Sequence, residues 1–146
     1  MLWAIKMIFK TLFDRFMWAL VVCFLVSNAF ALDGTLIVAN RTGGSISFID
    51  LNVGVEVARL PVGPIIPHEV AVSPDGRFAL TSEYGPNDRP GQHVLLIDIS
   101  NASLIGRIDL GPNSRPHTVL FLPDGRRAIA TMQDSDQLAL IDIALQ

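Results

Sequence analysis

The chain has 146 residues, a formal net charge of −3, half of its residues hydrophobic and 17% charged. That length excludes a multidomain machine, the hydrophobic content excludes a disordered chain, and the charge excludes a strongly basic nucleic-acid binder.

The chain opens with Lys6, Lys10 and Arg15 against a single acid, Asp14. An apolar run, Phe16 to Val26, follows, and then Ser27-Asn28-Ala29-Phe30-Ala31. A basic start, a short apolar stretch and a small-x-small ending are the parts of an export signal. Eleven helical residues rise only about 16 Å, too short for roughly 30 Å of hydrocarbon. Residues 1–31 are therefore predicted to be a signal peptide cut after Ala31, with retention as an uncleaved anchor as the alternative. Cys23 sits mid-run after Val22 and does not form a lipoprotein box. Cleavage predicts a periplasmic or secreted protein with no membrane attachment.

Residues 32–146 keep eight Arg, no Lys, thirteen acids and no cysteine, a net charge of −5. An exported domain without disulfides is held by packing alone. It also lacks a thiol for catalysis or soft-metal binding.

From residue 35 onward the elements repeat. Pro67-His68-Glu69-Val70-Ala71-Val72-Ser73-Pro74-Asp75-Gly76-Arg77 returns, offset by 49, as Pro116-His117-Thr118-Val119-Leu120-Phe121-Leu122-Pro123-Asp124-Gly125-Arg126. Phe48-Ile49-Asp50, Leu96-Ile97-Asp98 and Leu140-Ile141-Asp142 recur at spacings of 48 and 44. Each unit reads as four short strands. In the second unit these are Val70–Ser73, Arg77–Glu83, His93–Ile99 and Leu104–Leu110, with Pro-Asp-Gly supplying the first turn. The strands are mostly continuous apolar runs, as in sheets covered on both faces. No segment after residue 32 has a helical period.

Tandem four-stranded units of this length predict an all-β fold, a β-propeller of antiparallel blades, with repeats at about 35–63, 67–111 and 116–146. With strands lettered A to D outward from the axis, the order is B-C-D, A-B-C-D, A-B-C. That is ten strands, an incomplete arc of about two and a half blades, whereas propellers close with about four to eight. The arc is expected to be the N-terminal fragment of a longer chain, the rest of the ring coming from missing C-terminal sequence. Closure by oligomerisation is the alternative.

The repeat resembles the YVTN-type (YncE-like) family of exported bacterial propellers. The matching residues are Ile37-Val38-Ala39-Asn40, Ser45 to Asp50, Val57 to Gly63 and Pro67 to Gly76. The resemblance covers essentially all of residues 32–146 and implies fold rather than a particular function.

Blade connectivity places the D-to-A and B-to-C connections on one face. His68 and His117, immediately before A strands, then lie on its inner rim with Glu69 and Arg115. The insertion Tyr84 to Gln92, and the loops 41–44 and 133–137, open on the same face. Glu83, at the end of a B strand, could reach the channel, and Tyr84 is the one aromatic placed for stacking; Phe48, Phe78 and Phe121 read as core. His68, Glu69, Glu83, Tyr84, Arg115 and His117 are therefore the candidate binding residues. No cofactor is evident, although His68 and His117 are candidate ligands for a metal at the channel mouth. The bland reading of both histidines is a repeat-encoded strand cap. Asp50, Asp98 and Asp142 are expected to accept backbone N–H groups at turns.

The sequence contains no G-x-S-x-G, H-E-x-x-H, C-x-x-C or phosphate loop. The expected function is a binding or scaffold module presenting its loop face to a protein or small molecule. The alternative is a propeller-type enzyme, a lactonase-like hydrolase or a metal-dependent redox protein.

Overall fold

The computed structural model describes residues 33–145, with side chains through residue 144. The predicted signal peptide, residues 1–31, lies outside the described residues. Ten strands follow: β1 (Thr35–Asn40), β2 (Ser45–Asp50), β3 (Val55–Pro61), β4 (Pro67–Val72), β5 (Phe78–Glu83), β6 (His93–Asp98), β7 (Ser103–Asp109), β8 (Pro116–Phe121), β9 (Arg127–Met132) and β10 (Gln137–Asp142). A single 3₁₀ turn, Ile143–Leu145, follows β10. Among the described residues no helix is long and apolar enough to cross a membrane.

The strands form three antiparallel meanders, β1-β2-β3, β4-β5-β6-β7 and β8-β9-β10. This is the predicted B-C-D, A-B-C-D, A-B-C order. Two apolar layers lie between successive sheets. Ile37, Ile46, Phe48 and Val62 meet Ala79, Leu95 and Ile97 of the second sheet. On its other face, Leu80, Val94, Leu96 and Ile108 meet Val119, Ala128, Ala130 and Ile141. Successive side chains of a strand point to opposite faces. Val94 and Leu96 therefore serve one layer, while Leu95 and Ile97 serve the other. This is why β6 is apolar at every interior position.

Among the described residues the third sheet is covered on one face only. Leu120, Leu138 and Leu140 are exposed. Strand pairing sets Leu120 and Leu140 on either side of Ile129, so they form one apolar strip. These positions repeat Ala71, Val94 and Leu96 of the second sheet, which are packed against the third.

The Pro-Asp-Gly turns close as their chemistry predicts. The Gly76 N–H donates to the Ser73 carbonyl (2.8 Å) and the Ser73 N–H to that of Phe78 (2.8 Å), with Gly76 at φ 73°. In the second copy the Gly125 N–H donates to Leu122 (2.9 Å) and the Leu122 N–H to Arg127 (2.7 Å), with Gly125 at φ 65°. The positive φ explains the glycine at each. The Asp75 carboxylate takes the Ser73 hydroxyl at 2.6 Å. Leu122 offers no hydroxyl in the second copy. There Asp124 takes the N–H groups of Arg126 and Arg127 (both 2.9 Å) and the Arg127 guanidinium (2.7 Å).

The recurrent aspartates act as turn caps, as expected. Asp50 accepts the Asn52 N–H (2.7 Å), Asp98 the Asn101 N–H (3.2 Å) and the Ser100 hydroxyl (2.6 Å), and Asp142 the Ala144 N–H (3.0 Å).

The Arg127 N–H, then its guanidinium, then the Arg126 N–H hold the Asp124 carboxyl down at about 2. A carboxyl lowered on folding contributes stability in full above its unfolded value of 3.8, and that contribution is lost as pH falls through about 2. Asp124→Asn is expected to be less stable than the parent at pH 7, with the two converging between about pH 4 and 2. Urea melts at pH 7 and near pH 2 check this. A gap that persisted at the acid end would refute it.

The apolar run from Val70 predicts an A strand that begins there, with the histidines before it. The strands begin instead at Pro67 and Pro116. Pairing slips between Pro67 and Val70 in β4 and between Pro116 and Val119 in β8. Each slip is a β-bulge, and His68-Glu69 and His117-Thr118 are the residues it carries. A run of apolar side chains starting at Val70 marks where regular pleating begins, not where the strand does.

Candidate functional site

The bulges decide where the site side chains go. In a regular strand, neighbours such as His68 and Glu69 point to opposite faces. A bulge breaks that alternation and re-aims side chains. His68 and Glu69 both turn toward the same point, with His68 Nδ1 3.9 Å from Glu69 Oε1. The matching bulge in β8 brings His117 alongside. The ligand atoms of His68, Glu69 and His117 all lie within 4.8 Å of one another.

Hydroxyl groups satisfy the backbone that the bulges free from the ladder. Thr81 Oγ1 donates to the Glu69 carbonyl (2.7 Å), and Ser82 Oγ donates across to the His117 carbonyl of the next sheet (2.7 Å). Thr81 and Ser82 are adjacent on β5, and both are fully buried. One strand therefore anchors both histidine-bearing bulges. In the third sheet the Thr118 N–H donates to Thr131 Oγ1 (3.0 Å).

Tyr84 completes the cluster. Its ring centroid lies 4.9 Å from that of His68 and 5.2 Å from that of His117, and the two imidazoles are 4.4 Å apart, edge to face. The Tyr84 hydroxyl donates to Gln133 Oε1 (3.2 Å). Guanidinium groups flank the ring, Arg115 at 5.2 Å and Arg41 at 6.0 Å from its centroid. Burial, then the charges of His117 and Arg41, lower the His68 pKa, with Glu69 opposing them. The shift favours the neutral imidazole of His68.

Blade connectivity puts Arg115 on the inner rim, among the candidate binding residues. It is buried instead, its side chain 10% exposed. Its Nη2 donates to the carbonyls of Pro86 (3.2 Å) and Asn87 (3.3 Å), and its Nε lies 3.3 Å from Asp134. Its own N–H donates to Gly91 (3.1 Å) and its carbonyl accepts the Gln133 N–H (3.1 Å). With φ 41° it holds a strained backbone. Arg115 thus straps the 84–92 loop to the third sheet.

Glu83 stands apart from the cluster. Its Oε2 lies 2.6 Å from His93 Nδ1 on β6 and 3.8 Å from Arg107 Nη1 on β7. Arg107 Nη2 in turn donates to the Val62 carbonyl (3.2 Å). Glu83 therefore joins the outer strands of its own sheet to the connection from the first. The structure brings together His68, Glu69, Tyr84 and His117, supports them with Arg115, and sets Glu83 elsewhere.

Arg41, Gln133 and the Thr81-Ser82 pair were not among the candidate residues. The loops 41–44 and 133–137 had been placed on this face, so position pointed to Arg41 and Gln133. Thr81 and Ser82 carry no sequence signal, because a hydroxyl on an interior strand reads only as a small polar residue in the core.

No family model matches the chain, and no curated protein matches it. Among solved structures it is similar to hydrazine synthase of Kuenenia stuttgartiensis, with 25% identity, a TM-score of 0.65 and coverage of 76% of this chain. That protein contains β-propeller domains, and the chain spans 30% of its length. The three radially stacked meanders and this likeness establish the fold as an open arc of β-propeller blades.

Proposed function

We propose that this chain is an exported repeat protein of the YVTN-type (YncE-like) β-propeller class that works as a binding module through its loop-bearing rim. The observation that carries this reading is the Tyr84–His68–His117 ring cluster, flanked by Arg41 and Arg115. It offers flat apolar surface, ring nitrogens and the exposed Arg41 guanidinium at one place where three loops meet. Such a mixture suits a small polar or anionic ligand, or a protein side chain of that kind. The leader-like sequence before Ala31 supports a periplasmic or secreted location. The exposed leucine strip of the third sheet supports completion of the ring by further sheets.

The test is a thermal-shift screen of small polar and anionic compounds on the purified full chain. A ligand present at a hundred times its dissociation constant stabilises the folded state by about 2.7 kcal/mol. A ligand that acts here is expected to lose that shift in Tyr84→Ala. Shifts that survive Tyr84→Ala unchanged would place binding elsewhere and sink the reading.

A second reading, a propeller-type enzyme with a metal at the same mouth, is favoured by one observation: the convergence of two imidazoles and a carboxylate.

A further inference from the structure

We infer that His68, Glu69 and His117 form a three-ligand site for a divalent metal of the zinc class, its remaining positions open to an exogenous ligand. The inference deepens the reading of this rim as a binding face, and it requires no catalytic activity.

Three observations carry it. Residues adjacent in sequence offer ligand atoms to one point only because β4 bulges there; a regular strand would send Glu69 to the opposite face. The supporting backbone is fixed by Thr81 and Ser82 before any ligand arrives. His68 Nδ1 is buried and makes no hydrogen bond, although it faces a carboxylate oxygen 3.9 Å away. A buried ring nitrogen without a partner is costly and calls for an explanation. A cation lying between the two groups supplies one.

The donor set selects the ion. Two imidazoles and one carboxylate suit zinc and its borderline neighbours, which keep a water or substrate in the remaining position. Calcium and magnesium ask for six or more oxygens, or for near-octahedral oxygen geometry. Copper(I) favours thiolates or thioethers, and the three converging donors are imidazoles and a carboxylate. Ligand atoms of a tetrahedral zinc site stand roughly 3.3–3.6 Å apart, given bond lengths near 2 Å. The observed separations, up to 4.8 Å, close to that range with side-chain rotations of about an ångström. An anion in the open position would share the rim with the exposed Arg41 guanidinium.

Cobalt(II) titration of the purified full chain tests the inference, because cobalt substitutes in such sites and reports its coordination by visible absorption. One equivalent is expected to bind saturably, with the intense bands of a four- or five-coordinate ion, and zinc should displace it. His68→Ala and His117→Ala should each weaken binding at least about tenfold, with Glu69→Gln weakening it measurably. Circular dichroism checks that each variant keeps its sheet signature, and His117→Gln serves as a milder variant should His117→Ala not fold. Non-saturable uptake by folded parent protein, or unchanged affinity in the folded histidine variants, overturns the site. Saturable cobalt binding without any Tyr84-dependent compound shift would uphold the metal site and discard the broader ligand reading. The reverse pattern would discard the metal site alone.

Discussion

Gly91→Ala is expected to cost about 3 kcal/mol or more and to lower the melting temperature by roughly 10 °C or more. The reason is steric. A β-carbon at residue 91 would coincide with the backbone carbonyl of Glu83, on the neighbouring arm of the long loop. Backbone against backbone cannot be relieved by turning a side chain. Any displacement disturbs the Gly91 N–H bond to Tyr84 and the Arg115 N–H bond to Gly91. It also disturbs Glu83, which holds His93. Gly54→Ala is the control. Gly54 has φ 68°, but a β-carbon there meets nothing within 4 Å, so only conformational strain of about 1 kcal/mol is expected. Thermal melts of the two variants decide the matter. Equal losses would mean that the close approach of residues 83 and 91 does not exist in solution.

The second large effect separates two leucines at equivalent places in the repeat. Leu96 is 7% exposed and packs between the second and third sheets. Leu140, its counterpart on the third sheet, is 65% exposed. Leu96→Ala is expected to cost about 2–5 kcal/mol, the loss of transfer free energy plus a cavity. Leu140→Ala in the isolated chain should fall within about 0.5 kcal/mol of the parent. Urea unfolding with a common m-value measures both. In a ring where another sheet covers the strip, Leu140→Ala would approach the cost of Leu96→Ala. A large loss for Leu140→Ala therefore reports an occupied face, and sedimentation at the same concentration shows whether the occupant is a second copy.

Most of the architecture is readable from residue order because the determinants are local. Pro-Asp-Gly writes a turn through fixed φ, a carboxylate cap and a positive φ. An apolar residue at every interior position of β6, Val94 to Ile97, announces a strand buried on both faces. The offset of 49 between Pro67-His68 and Pro116-His117 announces that the histidines occupy equivalent corners. The site's finer arrangement is not local. That His68 and Glu69 share a direction follows from a slip in pairing with β5, which no run of residues in β4 encodes. Arg115 looks like a rim charge until the earlier 84–92 loop folds back and presents the carbonyls of Pro86 and Asn87. Glu83 looks like a channel residue until His93, across the same loop, takes its carboxylate. In each case the deciding partner is distant in sequence, and charge alone does not say which partner wins.

The hydroxyl pair on β5 and the neighbour-only strand order also bear on how the chain reaches this structure. Within each sheet every strand pairs only with its neighbours in sequence. Each pairing therefore closes only a short loop, whose entropic cost grows slowly with length, and low contact order favours fast folding. Among the described residues the four-stranded β4–β7 sheet is the one with both faces covered, and it lends Thr81 and Ser82 to its own and its neighbour's bulge. It is suited to form first and template the sheets on either side. Substitutions within it should then slow folding, whereas those in β8–β10 should mainly hasten unfolding. On this view the rim cluster is the last part to be assembled, completed when the third sheet docks and Ser82 captures the carbonyl of His117.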